Sequence, residues 1–359
     1  MAGGERILVV GPAWVGDMVM AQSLFRLLRV LDPDAVIDVV GPPWSVPLAA
    51  RMPEIRRGIA LGVAHGELAL ARRRRLGVTL RDEGHERAIV LPRSLKAALL
   101  PWFARIPVRT GFAAEGRSWL LTDPRRLDRQ LLDQTVKRFL ALGLPLGAPL
   151  PEPLPPSLRI DAANRDALLR RFGLGQAPAV ALMPGAAFGP AKQWPVGHFA
   201  ELARLLVAQG HEVWVLGSAG ERPLGEQIRA AAGTGVHDLC GQTRLEDSVD
   251  LLATAHTAVT NDSGLMHVAA AAGTRVVAIF GSTSPRFTPP LTRRCHIHYL
   301  ELDCSPCFQR ECPLGHLRCL REITPQAVAA SVLAPAILPA EPNQPPAVAV
   351  PARPQRIET

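Results

Sequence analysis

The sequence AVTNDSGLMHVAAAAGTRVVAIFG, residues 258–281, places two strand-like runs and a helix in one short span. Its opening run, AVTND (258–262), ends in a turn made by Asn261, Asp262, Ser263 and Gly264, residue types that bond their own backbone or tolerate unusual dihedrals. LMHVAAAAG then begins a helix whose small side chains permit close packing, and VVAIFG (276–281) is apolar throughout. Strand, helix and strand in this order form the repeating unit of a parallel sheet flanked by helices.

The alternation repeats along the chain. Strands are predicted at ILVV (7–10), VIDVVG (36–41) and AIVLP (88–92) in the first half, and at AVALMPG (179–185) and EVWVLGS (212–218) in the second, besides the two above. Between the halves lies LPLGAPLPEPLPPSL (144–158), whose prolines break helices and cannot donate ladder hydrogen bonds. The reading is an α/β chain of two Rossmann-like, doubly wound parallel-sheet domains facing a central cleft: residues 1–150, a Pro-rich linker at 151–158, and residues 159–334. The tail 335–359, rich in Pro and Ala without periodicity, is expected to be disordered.

At 359 residues with 48% hydrophobic and 20% charged side chains, the composition is that of a soluble protein with large cores. No apolar run approaches the roughly 20 residues that span a bilayer, and MAGGERILVV lacks the basic start and long apolar core of a signal peptide. A cytoplasmic location follows, and there the six cysteines stay reduced, with Cys240 and Cys295 read as small buried hydrophobes. The net charge of +8 favours anionic partners, although nothing here resembles a nucleic-acid reading module, so no nucleic acid is expected.

Three loops carry chemistry. In VVGPAWVGDMVM (9–20), Gly11 and Gly16 fit neither a dinucleotide fingerprint nor a Walker A loop, and Asp17 follows where an anion would otherwise sit. Asp17 either meets the positive end of its own helix or projects into the cleft to take a proton from a substrate hydroxyl. In MPGAAFGPAKQWP (183–195), small residues allow close approach to a ligand, Ala186 and Ala187 present N–H groups, and Lys192 supplies a point charge suited to a diphosphate, or else is a solvated loop lysine. In TNDSGLMH (260–267), the N–H groups of Ser263, Gly264 and Leu265 can hold a phosphate near His267, and Asp262 or Ser263 can cap the same helix, since a capped helix start can still bind an anion.

GPAWVGDMVMAQ, MPGAAFGPAKQWP, the Gly-Ser of LGSAGE and NDSGLMHVAAAAGTRVVAIFGSTSP together resemble the ADP-heptose:lipopolysaccharide heptosyltransferases of glycosyltransferase family 9. The Trp-Val-Gly-Asp-Met form is most similar to the heptosyltransferase II branch, and the match runs in order over most of residues 6–330. The resemblance implies a GT-B fold and an inverting, metal-independent transfer of L-glycero-D-manno-heptose from the ADP-heptose donor to heptosyl-Kdo2-lipid A, at the cytoplasmic face of the inner membrane. It implies Asp17 as general base, Lys192 on the donor phosphates, and Asp262, Ser263, Gly264 and His267 around the diphosphate and sugar. Glu221 matches a ribose-binding acid, although its AGERP surroundings depart from the family's charged run. No cofactor is expected. Helix-dipole stabilisation is expected to keep Asp17 deprotonated without a raised pKa.

The acceptor is assigned Gly16, Arg93 and Lys96, with ARRRRLG (71–77), Arg105 and Arg109 as further cations or, for Arg72–Arg75, a solvated helix face. Asp32 and Asp34 in LDPDA read as a turn and not a metal-binding pair. LDCSPCFQRECPLGHLRCL (302–320) spaces Cys304, Cys307, Cys312, His316 and Cys319 so as to allow a structural zinc, the alternative being reduced thiols buried in an irregular segment. The rivals are heptosyltransferase I, another GT-B sugar-nucleotide enzyme or epimerase, and a non-enzymatic anionic-lipid binder.

Overall fold

The computed structural model describes residues 4–64 and 66–335, so the tail expected at 335–359 lies outside the described residues from 336 onward. Six strands, β1 (Arg6–Val10), β2 (Val36–Gly41), β3 (Ile55–Ala60), β4 (Arg87–Val90), β5 (Val108–Phe112) and β6 (Asp123–Arg125), form one sheet in the order β3-β2-β1-β4-β5-β6. Six more, β7 (Ala179–Met183), β8 (Glu212–Val215), β9 (Val236–Asp238), β10 (Thr257–Asn261), β11 (Arg275–Ile279) and β12 (Cys295–His298), form a second in the order β12-β11-β10-β7-β8-β9. Every pairing is parallel, Val9 facing Val39 and Ile89 in the first sheet and Val259 facing Leu182 and Val277 in the second. The two sheets therefore repeat one doubly wound topology, each reversing direction between its two central strands.

The central strands are the ones legible as apolar runs, because helices cover both their faces: β7, β10 and β11 are buried at every position. The strands without such a run are β3, β5, β6, β9 and β12, nearer the sheet edges, where Arg56, Arg57 and Val108 are exposed. Cys295, expected to be buried, sits in β12 and is half-buried, since that edge strand lacks a neighbour on one side.

The helix α1 (Val15–Leu31) follows β1 and is buried on nearly every face from Gly16 to Leu28. Gln22 and Ser23 are buried polar residues in that apolar run, and the segment after residue 144 satisfies them. Gln22 donates to the Ser157 carbonyl (2.7 Å) and accepts from the Ser157 N–H (3.0 Å), while Ser23 donates to the Leu154 carbonyl (2.7 Å). The Pro-rich stretch, whose backbone has few partners of its own, is thus strapped along α1. Beyond it, Leu158 donates to the Ala271 carbonyl and enters the core that joins Met18 and Leu24 to Met266 and Phe280.

A second tie joins the halves at their rim. Arg51 makes a bidentate pair with Asp250 (2.8 and 2.7 Å), which also accepts from the Asp161 N–H (2.8 Å) and the Asn164 amide (2.8 Å). Asp250 is fully buried, so removing it leaves the Arg51 guanidinium without its counter-ion. Asp250→Ala is expected to lower the unfolding free energy by about 3–5 kcal/mol in chemical denaturation. A loss of under about 1 kcal/mol would show that the pair contributes no net stability.

Candidate active site

Four loops meet at the cleft, and each leaves the carboxyl end of a central strand. β1 runs into Gly11–Trp14 and α1, β4 into Leu91–Ser94, β7 into Pro184–Pro195, and β10 into Asp262 and Ser263. These are the two switch points, where neighbouring loops diverge and leave a crevice.

The starts of α1 and of the helix Gly264–Ala271 abut across it. A β-carbon at Gly264 would lie 2.8 Å from Cβ of Val15, and one at Gly16 would lie 2.6 Å from Cδ2 of His267. Glycine at both positions is what lets the helices touch. Gly16, expected against the acceptor, is buried under His267, so its identity is explained by that contact. Neither helix start has a side-chain cap hydrogen bond, and the capping role for Asp262 and Ser263 is not what the structure adopts. Two positive helix ends therefore face the same space, which favours an anion there.

Asp262 instead gathers the site. Its Oδ2 accepts from Lys192 Nζ at 2.6 Å and from the Thr283 hydroxyl at 2.5 Å, and the lysine also lies 5.0 Å over the Phe188 ring. The lysine is thus held inside the cleft by an ion pair, which excludes the solvated-loop alternative. Asp17, half-buried in the first turn of α1, is close enough to this pair for both charges to act on its carboxyl. Burial pushes its carboxyl up to about 6, with Lys192 pulling it down and Asp262 adding to the rise. The expectation of an unshifted Asp17 is corrected on this point, because the cost of desolvating the carboxylate outweighs the helix dipole. His267 is buried and its imidazole is pushed down to about 4, chiefly by burial, so the ring is neutral near pH 7.

The loop after β7 is shaped by residues with no evident motif. Asn261, fully buried, donates to the Pro184 carbonyl (2.7 Å) and accepts from the Trp194 N–H (2.9 Å), clamping both ends of the segment that carries Lys192. Ala186 is buried and Ala187 exposed. Glu221 stands across from them: its carboxylate fills the space a side chain at Gly185 would take, 1.5 Å from that Cβ position, and accepts from the Ser218 N–H at 2.6 Å. It therefore lies at the ends of β7 and β8, within the same crevice. Thr283 carries no role in the sequence reading and Asn261 only that of a turn residue, since a hydroxyl or amide after a strand is too common a signal; their long-range partners reveal what they hold.

Among the basic residues, Arg93 is exposed and Lys96 half-buried, both just beyond β4. Arg109, expected among the free cations, donates to the carbonyls of Leu120 (2.7 Å) and Ile106 (2.5 Å) and serves the fold. Arg73 likewise is buried on the Leu68 carbonyl, leaving Arg72, Arg74 and Arg75 exposed. Asp32 and Asp34 form the turn expected of them, the Asp34 N–H donating to Asp32. Cys304, Cys307, Cys312, Cys319 and His316 line one small cavity of about 20 Å3, but among the described residues no group of three or more His, Cys, Asp or Glu side chains is arranged to hold a metal ion.

The profile of glycosyltransferase family 9 (heptosyltransferase) matches residues 73–318. The chain is 43% identical over 334 residues to the lipopolysaccharide heptosyltransferase 2 of Salmonella typhimurium, covering 90% of this chain and 96% of that protein. It is 42% identical over 334 residues to the protein of the same name from Escherichia coli, with the same coverage. The solved structure of the E. coli ADP-heptose LPS heptosyltransferase II superposes with a TM-score of 0.82 at 41% identity, over 91% of this chain and 97% of that one.

The contact between the helix starts is open to a direct test. Gly16→Ala is expected to cost about 1–3 kcal/mol by forcing the His267 ring aside. In the double variant Gly16→Ala/His267→Ala the clash is absent, so the two single effects should fail to add. Additivity within about 0.5 kcal/mol would mean that the two side chains do not meet.

Proposed function

Because the chain belongs to glycosyltransferase family 9, the heptosyltransferase family, and is a glycosyltransferase, we propose that it moves L-glycero-D-manno-heptose from ADP-heptose to heptosyl-Kdo2-lipid A, inverting the anomeric centre. The observation that carries the mechanism is Asp17 beside the Lys192–Asp262 pair where two helix starts converge. A carboxyl whose pKa is about 6 is mostly ionised at neutral pH yet a stronger base than an exposed aspartate.

In the step we assign, the acceptor hydroxyl attacks the anomeric carbon opposite ADP. The new C–O bond forms as the bond to the phosphate oxygen breaks, the hydroxyl proton passes to Asp17, and ADP leaves with the bonding electrons. Negative charge grows on the departing diphosphate, where Lys192 and the N–H groups of residues 263–265 stabilise it. Asp262 and Thr283 aim the lysine, Ala186 and Ala187 line the donor's approach, Glu221 takes the ribose, and neutral His267 borders the sugar. Arg93 and Lys96 face the acceptor. Asp17 and Lys192 are the residues on which catalysis rests.

We also place the protein peripherally on the cytoplasmic face of the inner membrane. Among the described residues no helix is long and apolar enough to cross a bilayer. What supports peripheral binding is the exposed set Arg72, Arg74 and Arg75 on the helix Leu70–Thr79, which also exposes Leu70 and Val78 and is preceded by exposed Leu68, a basic and apolar mixture that suits an anionic leaflet.

Incubation with ADP-heptose and Kdo2-lipid A bearing zero, one or two heptoses should extend the singly heptosylated acceptor; extension of another acceptor alone would reassign the substrate. Asp17→Asn should leave ADP binding within about twofold but lower turnover by about 10² or more. In the wild type, kcat/KM should fall as pH drops through about 6, because the carboxylate is protonated below its pKa. A normal rate in Asp17→Asn would return the residue to helix electrostatics. Transfer should also persist after chelation of free divalent ions, and stimulation by added magnesium would refute the cation role given to Lys192.

A further inference from the structure

The loop that lends Thr283 to Asp262 continues into an open cavity of about 550 Å3 that the transfer step above does not use. One wall comes from residues 129–138, the other from residues 284–308, so both halves of the chain build it. They are in contact there: the Thr135 N–H donates to the Phe287 carbonyl at 3.2 Å, and the Arg138 guanidinium lies 4.7 Å over the Phe287 ring. Phe287 and Phe308 meet edge to face at 6.5 Å and present apolar surface beside the charged groups.

The charges lining this space do not balance. Three arginines, Arg129, Arg138 and Arg286, face it with one carboxylate, Asp133, which is itself paired with Lys137 at 2.8 Å. The Arg286 side chain is 87% exposed and pairs with Glu301 at 3.6 Å in solvent, a weak attraction. Arg138 is half-buried, and burial together with the like charges of Arg129 and Arg93 disfavours its protonated form. Gathering guanidinium groups costs free energy that a bound anion offsets, and their planar forks suit carboxylate and phosphate oxygens.

We propose that this cavity is an anion subsite for the acceptor, in which Arg129, Arg138 and Arg286 bind a carboxylate or phosphate carried on the acceptor saccharide while Phe287 packs on its sugar face. The inference rests on the proposed transfer to a phosphorylated, acidic glycolipid. Its position follows from the chain: Ser284 lines the cavity one residue after Thr283 touches Asp262, so an acceptor held here is continuous with the Lys192–Asp262 centre. The donor diphosphate is assigned elsewhere, to Lys192 and the helix start at Gly264. The subsite therefore predicts a defect confined to the acceptor.

Arg129 and Arg286 are exposed, so their alanine variants should fold, which thermal unfolding verifies. With heptosyl-Kdo2-lipid A, Arg286→Ala and Arg129→Ala should each raise the acceptor KM about 10-fold, keep the ADP-heptose KM within about twofold, and weaken the dependence of acceptor KM on ionic strength. Arg286→Lys should recover part of the loss. Repeating the assay with acceptor stripped of its lipid A phosphates separates the sources: a penalty that vanishes identifies phosphate, and one that persists identifies carboxylate, and both agree with the subsite. An unchanged acceptor KM in both alanine variants while the wild type transfers heptose would overturn the inference and leave the proposed function standing. A rise confined to the ADP-heptose KM would overturn it in favour of a donor site. If the wild type transfers heptose to no acceptor, the proposed function fails and the subsite fails with it.

Discussion

The contact between Asp262 and Lys192 is the constraint on which the site depends. At 2.6 Å, with Thr283 on the same oxygen, it fixes a cation inside a crevice that offers it little water. An ammonium left unpaired there would be costly to desolvate, and a carboxylate alone at the start of a helix would occupy the positive end of its dipole. Paired, the two leave a centre whose lysine can be shared with an arriving diphosphate. The same pair sets the field on its neighbours: Lys192 favours the ionised form of Asp17 and Asp262 opposes it, while burial moves both Asp17 and His267 toward their neutral forms.

The topology explains why these groups meet. Each sheet reverses its winding between two central strands, and the loops beyond those strands carry the charged residues: Asp17 and Arg93 from one sheet, Lys192 and Asp262 from the other. Bringing the two switch points face to face requires the helix starts to touch, which Gly16 and Gly264 permit. The rest of the interface holds that approach in register through the strap along α1, the Leu158 core contact and the Arg51–Asp250 pair. A motif thus supplies a residue, and the interface gives it a partner.

Much of this was legible in the sequence because burial writes itself into composition. β7, β10 and β11 are covered on both faces and read as unbroken apolar runs, and the glycine and charge pattern after each strand marked loops that the fold brings together at the cleft. The outer strands were hidden because part of each faces solvent and carries residues such as Arg56 and Arg57. Long-range partners were hidden for a different reason. Nothing local in the sequence pairs Arg51 with Asp250, Asn261 with Pro184 and Trp194, or Thr283 with Asp262, since each bond depends on how distant elements pack. The raised Asp17 pKa belongs to this class too, because its helix position alone argues for the opposite shift.

Direct titration of the Asp17 carboxyl tests the central claim that burial beside the Lys192–Asp262 pair makes it the base. With aspartate carboxyl carbons labelled with 13C and the Asp17 resonance assigned by its loss in Asp17→Asn, the full chain is followed across pH by NMR. The account predicts a midpoint near 6 in the unliganded protein, moving higher in Lys192→Met as the opposing cation is removed. A midpoint near the ordinary aspartate value of 3.8, unmoved by the loss of Lys192, would contradict it.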